Sequence, residues 1–113
     1  MQMVFSPVME KIEAGALIVD VRTEDEFKTG AYPGAVNIPL AVLQSRMEEL
    51  EPRDRPIVIY CTSGTRGHMA ADFLEAFGWT DAVCAGSLTE MEELLHTGQP
   101  PVPEENHQVF ARQ

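Results

Sequence analysis

The chain has 113 residues, a formal net charge of −10 and 44% hydrophobic residues. That length bounds one domain with a core that needs no staple. The acidic balance excludes a broad nucleic-acid surface, which demands many Lys and Arg, and no apolar run approaches the ~20 residues of a membrane span.

Ser6-Pro7 reads as an N-cap and first helical residue, with Val8, Met9, Ile12 and Leu17 as an apolar stripe and Gly15 as a stop. Ala16 to Val21 is a continuous apolar run with β-branched members, broken only by Asp20. It predicts a strand buried on both faces, as in parallel sheets. Thr23, with Glu26 three residues on, has the form of a capping box and opens a short helix ending at Gly30. Pro33-Gly34 marks a turn, and Ala35 to Pro39 is a short strand or extended segment.

Leu40, Leu43, Met47 and Leu50 have the spacing of one helical face. A charged connection, Pro52 to Pro56, leads to a second strong buried strand, Ile57 to Tyr60. Thr65 to Phe77 is helical, with Gly78 as its stop, and Ala82-Val83-Cys84 is a short third core strand. Leu88, Met91, Leu94 and Leu95 predict a last helix, capped by Ser87 or Thr89. From residue 98 the prolines and glutamates break regular structure, so a domain over residues 1–97 and an extended or disordered tail over 98–113 are expected. Strands and helices alternate, which predicts an α/β domain: a mostly parallel central sheet with helices on both faces and a site at the carboxyl ends of the strands. Asp20, Cys61 and Cys84 each end a predicted strand, so all three share that edge.

Neither cysteine belongs to a Cys-x-x-Cys pair, and His68, His96 and His107 have no metal-ligand spacing with them. No disulfide framework, metal or cofactor is expected. Met1 to Phe5 lacks a basic segment before a long apolar stretch, so no signal peptide is read and a cytoplasmic protein is expected. Cys61 carries the chemistry. It closes the Ile57–Tyr60 strand and opens a small-residue loop, Thr62-Ser63-Gly64-Thr65, that runs through Arg66 and Gly67 into a helix. Unpaired N–H groups converge at a helix start, and with the helix dipole they favour a thiolate and cradle an anion.

Two motifs together resemble the single-domain rhodaneses, sulfurtransferases that carry a persulfide on a loop cysteine. The first is Asp20-Val21-Arg22 with Glu26-Phe27, Gly30, Gly34-Ala35 and Asn37-Ile38-Pro39; the second is Cys61-Thr62-Ser63-Gly64-Thr65-Arg66. The resemblance covers about residues 4 to 97. The chain departs from the family's habit at Ala31, often His; at Gly67, often Ser; and after Gly86, where Ser87 stands in place of a second glycine.

The resemblance implies a three-layer rhodanese-like fold and double displacement at Cys61, with no cofactor. Cys61 takes the sulfane sulfur of a small anionic donor such as thiosulfate and hands it to cyanide, a thiol or a protein cysteine. Backbone N–H groups from Thr62 to Gly67 would hold the anionic sulfur, Gly64 supplying the tight turn. Arg66 would bind the donor's sulfonate or cap the loop; Thr62, Ser63 and Thr65 would donate hydroxyls or merely form it. Arg22 and Glu26 are expected to form a structural ion pair, and Asp20 to bind loop amides, steady Arg66 or serve as a plain turn residue. Cys84 is a buried apolar residue or a resolving thiol, and His68 a surface group. Nucleic acid and membrane are not expected partners, and a monomer is expected. A persulfide carrier docking on a partner enzyme is the alternative. A small phosphatase or arsenate reductase is a further one, although those enzymes place five residues between Cys and Arg where this chain has four.

Overall fold

The computed structural model of the protein describes residues 7–97. In chain order the elements are α1 (Pro7–Glu13), β1 (Leu17–Asp20), α2 (Glu24–Lys28), β2 (Val36–Asn37), two 3-10 segments (Leu40–Val42 and Gln44–Leu50), β3 (Ile57–Cys61), α3 (Thr65–Ala76), β4 (Ala82–Ser87) and α4 (Leu88–Thr97). The strands form one sheet in the order β2-β1-β3-β4, and every pairing is parallel. The proposed tail and the Ser6 cap lie outside the described residues.

Strand side chains alternate between faces, and here they divide the core in two. Ile57, Ile59 and Cys61 join Val19, Val21, Leu43, Leu50, Ala70, Leu74 and Trp79 beneath α3 and the 3-10 segments. Val58 and Tyr60 join Ile18, Tyr32, Met91 and Leu94 on the other face, where Val8, Met9 and Ile12 of α1 pack. β3 is buried at every position. Helices thus cover both faces, the three-layer α/β arrangement expected of an apolar parallel sheet.

The segment from Leu40 to Leu50 is not the expected α-helix but two 3-10 turns. Leu40 to Leu43 and Met47 to Leu50 are three-residue steps, which a 3-10 period satisfies as well as an α period. Pro52 biases Glu51 toward the extended conformation it adopts, which ends the segment there. β4 also runs past Cys84 to Ser87, with an irregularity that puts Gly86 opposite Tyr60 and Ser87 opposite Cys61. Cys84 therefore lies within the strand, not at its end. Ser87, not Thr89, caps α4: its Oγ accepts from the Glu90 N–H (3.1 Å), and Glu90 Oε1 accepts from the Ser87 N–H (2.9 Å).

From β1 the chain steps outward to β2, then returns to place β3 on the other side of β1. A crevice at the carboxyl ends is expected at that reversal, between β1 and β3. The segments leaving those two strands, α2 and the Cys61 loop, flank it.

Candidate active site

Cys61 is the last residue of β3 and is fully buried. The chain then turns through exposed Thr62 and Ser63 to Gly64, whose φ of 97° is left-handed and favours glycine. Gly64 is the N-cap of α3, and no side chain caps that helix. Two backbone donors instead point at sulfur: the Gly64 N–H lies 2.8 Å and the Gly67 N–H 3.3 Å from Cys61 Sγ. Among the described residues, no hydrogen bond takes up the backbone N–H of Ser63, Thr65 or Arg66. Gly64 and Gly67 are thus the two backbone donors to the sulfur among the described residues.

Arg66 turns outward to Glu26 of α2. Its Nη1 donates to Glu26 Oε1 (2.8 Å) and its Nη2 to Glu26 Oε2 (3.2 Å) and Thr62 Oγ1 (3.3 Å). The Thr62 hydroxyl donates to the same carboxylate at 3.4 Å. Glu26 is also the N3 residue of the capping box, so Oε1 accepts from the Thr23 N–H (2.9 Å) as well. Arg66 first, then the Thr23 N–H, pull the Glu26 carboxyl down to about 2. The side chains of Ser63 and Thr65 make no hydrogen bond among the described residues, and His68 is exposed.

The expected Arg22–Glu26 pair does not form. Arg22 precedes the Thr23 N-cap, so the two share no helical face and the i,i+4 rule does not apply. Arg22 instead folds onto Asp20: Nη2 donates to Oδ2 (2.6 Å), Nε to both oxygens (3.0 Å), and its backbone N–H to Oδ1 (2.8 Å). Nη2 also reaches the Gly30 carbonyl (2.7 Å). Asp20 therefore neither binds loop amides nor steadies Arg66. Asn37 closes the arrangement by donating to the carbonyls of Asp20 and Arg22, each at 3.0 Å. These residues fix the end of β1 and the loop before β2.

Cys84 lies under the candidate loop. Its S–H donates to the Gly64 carbonyl (3.6 Å), and the Gly86 N–H donates to its sulfur (3.3 Å). Burial pushes this thiol up, and both cysteines are free. A Cβ at Gly67 would stand 2.7 Å from Cys84 Sγ, closer than real contacts allow. Gly67, where the resembling family often has Ser, makes room for this sulfur. Cys84 is therefore half-buried and hydrogen-bonded within the fold, not a fully buried apolar residue.

Sequence reasoning missed Glu26 as a part of the loop. The signal was available: a capping-box carboxylate is a fixed anion on the strand-end edge, and the loop arginine is the cation facing it. Among the described residues, no helix is long and apolar enough to cross a membrane, and no group of His, Cys, Asp and Glu could hold a metal. The clefts of about 460 Å³ around Trp79 and about 590 Å³ beside α2 contain no loop residue.

Known proteins resemble this one in sequence and shape. A sulfurtransferase of Allochromatium vinosum is 41% identical over 63 residues, covering 56% of this chain and 58% of that protein. The human thiosulfate:glutathione sulfurtransferase is 32% identical over 81 residues, covering 59% of this chain and 70% of that one. The similarity thus spans just over half the length of the Allochromatium relative. Among solved structures, a human single-domain sulfurtransferase superposes with a TM-score of 0.67 at 28% identity, over 82% of this chain and 96% of the other. The sequence profile of the rhodanese-like domain matches residues 6–93, most of the chain. The sequence profile, the parallel sheet and the shared shape agree: the chain belongs to the rhodanese-like domain family.

Proposed function

We propose that this protein is a sulfurtransferase that carries sulfur as a persulfide on Cys61. The observation that supports it most directly is the pair of N–H donors on Cys61 Sγ, from Gly64 and Gly67, in a loop that joins a buried strand to a helix N-terminus. Donors placed where negative charge resides stabilise it directly. They serve a thiolate first and a persulfide afterwards.

Thiosulfate is the proposed small donor, in keeping with the human thiosulfate:glutathione relative. Cys61 thiolate attacks the outer sulfur, a sulfur–sulfur bond forms, and the bond to the sulfonate sulfur breaks. Sulfite leaves with the electron pair. The terminal sulfur keeps the negative charge, and the free N–H groups of Ser63, Thr65 and Arg66 are within the loop to receive it. An acceptor thiolate or cyanide then attacks that sulfur and releases Cys61 thiolate. Because Cys61 is fully buried, the Thr62–Thr65 turn must shift as the donor enters. Thr62 to Gly67 are the proposed binding residues.

A persulfide carrier serving a protein partner is the second reading. The pairing of Arg66 with Glu26 favours it, since it leaves a free anion less to hold.

Intact mass after exposure to thiosulfate tests the proposal. Wild type and Cys84→Ser should gain about 32 Da, one sulfur atom, and lose it to cyanide as thiocyanate, while Cys61→Ser gains nothing. No gain on wild type from thiosulfate or from a protein persulfide would sink the reading.

A further inference from the structure

We propose that Glu26 determines donor specificity by occupying the guanidinium of Arg66, so that the site discriminates against small free dianions. The inference rests on the sulfurtransferase reading and names what that site selects.

Arg66 is the only arginine or lysine in the loop from Cys61 to Gly67, within a chain of formal charge −10. A dianionic donor repelled at long range depends on that local charge. Yet both terminal nitrogens of Arg66 already donate to Glu26, at 2.8 and 3.2 Å, and Thr62 takes a further bond at 3.3 Å. A planar fork matched to a carboxylate is the geometry that would match a sulfonate. Glu26 thus acts as a resident competitor for the face a sulfonate would use.

The competitor is built in. Thr23 N–H and Thr23 Oγ donate to Glu26 Oε1 at 2.9 and 3.1 Å, so the carboxylate is held from behind by its own helix start. It stays ionised at any physiological pH, because Arg66 and Thr23 hold its titration near 2. A donor that presents its sulfur without needing Arg66, such as a cysteine persulfide on a protein, pays no such penalty. Thiosulfate must displace Glu26 or bind with the donors that Glu26 leaves.

Glu26→Gln isolates the charge, since Gln also serves at N3 of a capping box. Thiosulfate titrated calorimetrically into Cys61→Ser and into Cys61→Ser/Glu26→Gln reads binding with no chemistry. Removing the carboxylate should tighten binding about three- to tenfold, the scale of one exposed charge at short range. In Cys61-containing protein the thiosulfate KM should fall by the same factor, with kcat changed less than about twofold. In the Glu26→Gln background, Arg66→Gln should cancel the gain, because the freed guanidinium is what the sulfonate uses. Weaker or unchanged binding in Glu26→Gln would overturn the proposal. So would a gain that survives Arg66→Gln in the same background; Glu26→Asp, too short to hold the fork, gives the same reading if Glu26→Gln does not fold. Failure of Cys61 to take up sulfur would sink the sulfurtransferase reading and leave the binding comparison standing.

Discussion

At Gly67 a hydrogen stands where any other residue would put carbon 2.7 Å from Cys84 Sγ. The position lies in the first turns of α3, where Ala normally improves on Gly by about 0.8–1.0 kcal/mol. Overpacking a fixed contact costs about 1–3 kcal/mol, so the clash wins. Gly67→Ala should therefore lower the urea midpoint in wild type. In Cys84→Ala the sulfur is gone, propensity wins, and the same substitution should become neutral or stabilising. Equal effects in both backgrounds would remove the proposed complementarity. The sequence announced Gly67 as a departure from the resembling family's pattern and Cys84 as an unassigned cysteine. It could not join them, because their contact needs the pairing of β4 on β3 to be known, and that pairing leaves no mark in composition or spacing.

Among the elements, α2 matters more than its five residues suggest. It follows β1, yet its N3 carboxylate holds the loop that follows β3, so two crossovers meet in one ion pair. The capping box was legible because its partners are three residues apart; the Arg66 contact spans 40 residues and needs the strand order to be known. The buried strands were legible for the opposite reason, since a run apolar on both faces leaves few other ways to fold. The pH consequence is specific. Glu26 titrates at about 2 in the folded chain against an ordinary value of 4.5. A depressed folded value means that its contribution is complete above about 4.5 and is lost as pH falls through about 2. Wild type should thus be more stable than Glu26→Gln at pH 7, and the gap between their urea midpoints should narrow at pH 3. A constant gap would show that the ion pair adds nothing to folding. The Asp20–Arg22 pair lies deeper and will not respond in the same way to such a substitution. It anchors the end of β1, and replacing Arg22 alone would leave a buried carboxylate without its partner.

Over the whole molecule the formal charge of −10 opposes the local donors of the loop. Their ranges differ, and that difference can be measured. Screening reaches about 30 Å at 0.01 M salt and about 10 Å at 0.1 M, so added salt weakens the distant carboxylates first. The N–H groups of Gly64 and Gly67, at 2.8 and 3.3 Å from the sulfur, act inside any ion atmosphere. Loading of Cys61 by thiosulfate should therefore quicken as salt rises, by about two- to tenfold over that range. Alkylation of the same thiol by neutral iodoacetamide should stay flat, because no charge is steered. Transfer to a basic protein acceptor should slow, since its encounter is attracted by the same field. If thiosulfate loading slowed with salt instead, the field at the loop would be net positive. Arg66 would then be reaching the donor past Glu26, and the acidic surface would have no part in choosing the substrate.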